Sequence, residues 1–235
     1  MRLQTTLGLF SLCAALLLPA GAWAAADADN TFETTLANGM RVVVREDHRA
    51  PTAVQMVWYR VGSIDERDGV TGVAHVTEHM MFKGTPSVGP GEFNRRVAAV
   101  GGRDNAFTST DYTAYFQQVP ATQLKTVMAL EADRMRHLTL EPAGYSKEIQ
   151  VIMEERRMRT DDQSSARVHE AMNAVAWQAH PYRRPVIGWM SDLEQMTVAD
   201  VRDWYRRWYV PNNATLVVVG DVNHQQVFGW ARQTY

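Results

Sequence analysis

Two histidines and a glutamate stand close together in residues 72–85, GVAHVTEHMMFKGT, as His75, Glu78 and His79. On an α-helix, residues four apart are about 6 Å apart along the axis and nearly on one face, so both imidazoles can reach a single ion. Glu78 falls on the same side, one residue before His79. Two imidazoles and a nearby carboxylate suit zinc, which in catalytic sites takes three protein ligands and keeps a fourth position for water. Zinc lowers the pKa of that water, and an adjacent glutamate can accept its proton and pass it to a leaving amine. A third ligand is then required. The downstream stretch KEIQVIMEERRMR supplies carboxylates: Glu148 and Glu155 are two helical turns apart and share a face, whereas Glu154 points about 100° away. Spacing alone leaves Glu154 and Glu155 as open alternatives.

The elements that must position these groups are legible in the periodicity. FETTLANGMRVVVRED reads as a hairpin in which Asn38-Gly39 makes a tight two-residue turn, and TAVQMVWYRVGS as a further strand. Val73, Val76, Met80 and Met81 recur at helical spacing through the histidine motif, ending near Gly84. GEFNRRVAAVGG is a helix, NAFTSTDYTAYFQQV one long strand, and ATQLKTVMALEADRMRHL a helix. A longer helix runs from about Tyr145 to Gln178. TVADVRDWYRRWYV starts at a capping box, Thr197 with Asp200, and stops at Pro211, ATLVVVGDV is a buried strand, and NHQQVFGWARQTY opens a last helix. Runs of strands and helices of this kind predict an α+β fold, one domain with a mainly antiparallel or mixed sheet packed against helices. Trp177, Trp189, Trp204 and Trp208 read as core. His48, His137, His169, His180 and His224 have no ligand spacing with one another and read as structural.

With 235 residues, 46% of them apolar, the chain can bury a sizeable core. Its 24 basic and 26 acidic residues form no basic stripe, so nucleic acid is not an expected partner. Arg2, the apolar run LGLFSLCAALLLPAGA and Ala22-Trp23-Ala24 have the layout of an export signal, with cleavage after Ala24. The expected organisation is a signal peptide over 1–24, a linker over 25–30 and a domain over 31–235. Once the signal is removed no permanent membrane anchor is expected, and a periplasmic or secreted location follows. The one cysteine, Cys13, lies inside the signal, so the mature domain has no thiol nucleophile and no disulfide framework.

The run His75-Val-Thr-Glu78-His79-Met-Met-Phe-Lys-Gly-Thr85, then Asn105-Ala-Phe-Thr108, then Glu148 to Glu155, resembles the insulinase/pitrilysin family of zinc peptidases. LANGMRVVV and YVPNNATLVVVGDV add to the resemblance, which extends from about Thr31 to the end. The family takes its third ligand from a glutamate some six dozen or more residues past the second histidine, with a supporting glutamate seven residues earlier. The resemblance therefore implies one zinc per chain on His75, His79 and Glu155, Glu78 as the water-activating base, and Glu148 as a catalytic-site carboxylate orienting a ligand histidine. It also implies that Asn105, Ala106, Phe107 and Thr108 bind substrate on an edge strand, where an extended peptide or unfolded protein adds as a further strand. Members of the family close a chamber with two homologous halves, and the second half contributes an arginine and a tyrosine. This chain matches the metal-binding half, so the expectation is an endopeptidase half needing a second half or an oligomeric partner. The alternative is a non-catalytic peptide-binding or assembly subunit of the same fold.

Overall fold

A computed structural model describes residues 30–235. The expected export signal therefore lies outside the described residues. Strands β1 (Thr31–Thr35) and β2 (Arg41–Glu46) form the expected hairpin. Its turn is one residue longer than predicted: Leu36 N–H donates to Met40 O at 2.8 Å, and Ala37, Asn38 and Gly39 lie between. Gly39 takes φ +88°, the left-handed position that a three-residue hairpin loop assigns to glycine.

Four more strands complete one sheet: β3 (Thr52–Tyr59), β4 (Arg103–Thr108), β5 (Thr113–Pro120) and β6 (Ala214–Gly220). The order is β1-β2-β6-β3-β5-β4, with β2 and β6 parallel and every other neighbouring pair antiparallel. The sheet is thus mixed and mainly antiparallel, as expected, and β4 is an edge. The single long strand expected over residues 105–119 is instead β4 and β5 joined by a turn. Ser109 N–H donates to Tyr112 O at 2.8 Å, and Ser63 and Ile64 N–H groups donate to Ser109 O and Thr110 O. Those long-range bonds, with Ser109 and Asp111 at the bend, reverse the chain within a stretch otherwise rich in strand-forming residues.

Alternation assigns one face of the sheet to the core. Val42, Val44, Ala53, Val57, Tyr59, Tyr115, Val119, Leu216 and Val218 are buried there, while Val43, Met56, Trp58, Phe116 and Val217 on the other face are partly buried. The helices are α1 (Val73–Met80), α2 (Glu92–Ala99), α3 (Leu124–His137), α4 (Pro142–Arg156), α5 (Ser164–Ala176), α6 (Met190–Gln195), α7 (Val198–Trp208) and α8 (His224–Thr234). Thr197 and Asp200 form the predicted capping box on α7. The long helix expected from Tyr145 to Gln178 is broken. After Arg156 it widens into a π-helical turn over Arg157–Asp161, and α5 restarts at Ser164. Buried Arg156 anchors the break, donating to Gly188 O at 2.7 Å and to both Glu170 carboxylate oxygens at 2.8–2.9 Å. Trp204 is buried as expected, but Trp177 is 45% exposed and is not core.

A buried polar chain locks α3 to the sheet. Gln55 donates to Gln117 at 2.6 Å, Gln117 to Glu131 at 2.8 Å, and Arg134 to Glu131 at 2.7 Å. The Arg134 guanidinium sits 4.1–4.9 Å over the rings of Phe82, Phe93 and Tyr115. Because Phe82 follows α1 by two residues, this network also fixes the end of the helix that carries the histidines.

Candidate metal centre

Helix α1 buries Val73, Ala74, Val76, Thr77 and Met80, which leaves His75, Glu78 and His79 on the opposite stripe, facing α4 and β4. The start of the helix is held by a carboxyl group six residues before Gly72, its N-cap. Glu66, itself buried, accepts from Gly72 N–H at 2.8 Å and from Ala74 N–H at 2.9 Å. Asp192 accepts from Thr71 N–H and Oγ1 at 3.1 and 2.6 Å, tying the first turn of α6 to the same turn. Gly72 and Gly188 permit this approach: a Cβ on Gly72 would lie 2.6 Å from Ile187 O, and one on Gly188 would lie 2.4 Å from Thr71 O.

The His75 and His79 rings lie 4.7 Å apart between centroids. Glu155 Oε2 is 3.4 Å from His79 Nε2 and 3.8 Å from His75 Nε2. One donor atom from each of the three residues lies within 4.8 Å of the others. Ligand atoms each about 2 Å from a tetrahedral ion stand roughly 3.3 Å apart, so this spacing and this donor set fit zinc. Glu154, the alternative that spacing left open, points away to solvent and pairs with Arg157 at 2.9 Å.

Around this cluster the polar partners differ in kind. His79 Nδ1 lies 2.9 Å from Glu148 Oε1, and Lys83 Nζ grips the other oxygen of the same carboxylate. Burial alone would push Glu148 up, but the bonds from His79 and Lys83 outweigh it and hold its carboxyl below the usual range. Burial pushes the His75 imidazole down to about 3, with smaller contributions from the neighbouring His79 and Arg159, so His75 is neutral and its lone pair is available. Glu78 is shifted upward, chiefly by burial, although Thr108 opposes the shift by donating to its Oε2 at 2.5 Å. Glu155 Oε1 pairs with Arg159 at 2.6 Å.

These groups open into a cleft of about 750 Å³. Asn105, Ala106, Phe107 and Thr108 of β4 line one wall, so every site residue predicted from the sequence except Glu148 is on this cleft, and Glu148 sits behind His79. Alternation along β4 divides that quartet. Ala106 and Thr108 share the face of Tyr115 and α1, while the Phe107 ring turns to the other face and packs edge-on against Trp58 at 5.6 Å. Asn105 Oδ1 accepts from the Ala106 N–H at 2.9 Å. The opposite wall consists of α5 and the segment 182–187, neither of which stood out in the sequence. His169, read from the sequence as structural, is an exposed part of that wall, 3.1 Å from Asn173.

Residues 41–189 match the family described as insulinase, peptidase family M16. The chain belongs to this family. Residues 195–235 match a second description, the peptidase M16 inactive domain. Among curated relatives, the zinc protease PqqE of Helicobacter pylori is 37% identical over 86% of this chain and 46% of its own length. A probable mitochondrial-processing peptidase subunit beta of Arabidopsis thaliana is 30% identical over 85% of this chain and 38% of its own. In structure, a protease from Helicobacter pylori superposes with a TM-score of 0.86 at 36% identity, covering 87% of this chain and 50% of that one. The periplasmic protease PqqL of Escherichia coli superposes at 0.81 and 30% identity over 88% of this chain and 24% of its own. The chain spans about half the length of the first curated relatives it matches.

Proposed function

We propose that this chain is the metal-binding half of a zinc endopeptidase that cuts extended peptides or small unfolded proteins. The observation that carries the reading is the convergence of His75, His79 and Glu155 from α1 and α4 beside Glu78, in a cleft bordered by a free edge strand. His75, His79 and Glu155 hold one zinc ion. When bound, zinc polarises the peptide carbonyl and brings the pKa of water toward neutrality.

Glu78 takes the proton of the attacking water and returns it to the leaving amine, a task that suits a carboxylate whose pKa burial has moved toward neutral pH. Glu148, charged through its contact with Lys83, accepts a hydrogen bond from the Nδ1–H of His79 and so leaves Nε2 unprotonated toward Glu155. The peptide lies along β4 as an added strand, held by backbone hydrogen bonds, with Asn105, Ala106, Phe107 and Thr108 bordering it. The family's arginine and tyrosine come from a second homologous half or an oligomeric partner, because no residue of this chain matches that pair. The domain spans 31–235, follows a linker over 25–30 and an export signal cleaved near Ala24, and works in the periplasm or outside the cell. The periplasmic description of PqqL supports that location, and no helix among the described residues is long and apolar enough to cross a membrane.

Removing zinc with a chelator and restoring it tests the reading. Cleavage of an unstructured peptide is expected to vanish and return with the metal. Cleavage indifferent to both treatments would sink it.

A further inference from the structure

The hydroxyl of Thr108 is spent inside the protein. Its Oγ1 donates to Glu78 Oε2 at 2.5 Å, and a threonine hydroxyl has one proton to give. It therefore cannot at the same time donate to a peptide lying along β4. The aim of that hydroxyl is fixed from below. Thr108 pairs with Thr113 across the β4–β5 ladder, and the turn beyond it is bonded to Ser63 and Ile64. Threonine's β-branch further restricts χ1, so the oxygen is directed by its backbone. Glu78, by contrast, is a long side chain with three rotatable bonds, and its Oε1 has no hydrogen-bond partner among the described residues.

We propose that Thr108 is a positioning residue: it fixes the Glu78 carboxylate relative to the strand that receives the peptide, and leaves Oε1 as the oxygen that meets the water. The proposal rests on the peptidase reading above and reassigns Thr108 from holding substrate to holding the base. A single strand then sets both the height of the docked backbone and the height of the carboxylate. Placement errors near 1 Å cost roughly a hundredfold in well-oriented reactions, which gives this registration its value.

Two variants of the zinc-loaded chain test it, with kcat and KM measured separately on an unstructured peptide. Thr108→Val keeps the shape and removes the donor, so kcat is expected to fall roughly 10- to 50-fold while KM stays within about twofold. Thr108→Ser restores the donor on a freer rotor and is expected to recover most of that loss. A raised KM with unchanged kcat would assign Thr108 to substrate binding. A serine variant as slow as the valine variant would assign the effect to packing, and either result overturns the proposal. Thermal denaturation of the metal-free chain supplies a readout independent of activity. Thr108→Val and Glu78→Met should shift Tm non-additively, since each removes one partner of a single bond. Additive shifts would overturn the pairing itself. Absence of zinc-dependent cleavage by the unmodified chain would instead sink the peptidase reading, and the positioning role with it.

Discussion

Glu148 is placed to do two things at once, accept from His79 Nδ1 at 2.9 Å and neutralise Lys83. Outer partners of this kind typically contribute 10- to 100-fold to metal affinity. Glu148→Gln is therefore expected to weaken zinc binding about 10-fold or more, measured by competition with a chromophoric chelator. Lys83→Met removes the cation that offsets burial of the carboxylate, and a smaller loss in the same direction is expected. Unchanged affinity in both variants would show that His79 is oriented by something else. The convergence of His75, His79 and Glu155 was legible in the sequence, because helical periodicity joins His75 to His79 and Glu148 to Glu155. The family resemblance then separated Glu155 from Glu154. The bonds from Lys83 to Glu148 and from Thr108 to Glu78 link residues far apart in the chain, and no local pattern announces them.

Helix α1 depends on its buried stripe and on its first turn. Met80 is fully buried, so Met80→Ala is expected to cost about 2–4 kcal/mol of stability by urea unfolding, and a change below about 1 kcal/mol would show that the stripe does not anchor the helix. At the first turn, burial pushes the Glu66 carboxyl from 4.5 to about 8, against the bonds from Ala74 and Gly72. The folded state then binds this proton more tightly than the unfolded chain does. Its stabilisation is full below about pH 4.5 and is lost as pH rises toward 8. Glu66→Gln cannot titrate, so its Tm is expected to fall several degrees less than that of the unmodified chain between about pH 5 and 8. Parallel Tm profiles would contradict the assignment. Elements with local punctuation were readable in advance: the Asn38-Gly39 hairpin, the Thr197 capping box, and the alternating β6. The β4–β5 turn and the break after Arg156 were not read, because their local signals, Ser109 to Asp111 and Asp161 to Ser165, are short and both places are held by distant partners, Ser63 and Ile64 in one case and Gly188 and Glu170 in the other.

The whole molecule presents one furnished wall of a cleft. The proposed zinc ligands and base face it together with edge strand β4, and the resemblance assigns the remaining arginine and tyrosine to a second half. Donors aimed at developing charge are each worth roughly a hundredfold or more in kcat. Adding a purified second half is thus expected to raise kcat by about that factor without changing zinc content, and a preparation of this chain alone with full turnover would contradict the need for it. The buried Arg134–Glu131 pair ties the sheet to the histidine helix through Phe82. Zinc content and peptide cleavage measured side by side in the unmodified chain and in Glu78→Gln test the central assignment most directly. One zinc per chain is expected in both proteins, with cleavage confined to the unmodified one. A chain without zinc, or a Glu78→Gln protein that still cleaves, would contradict it.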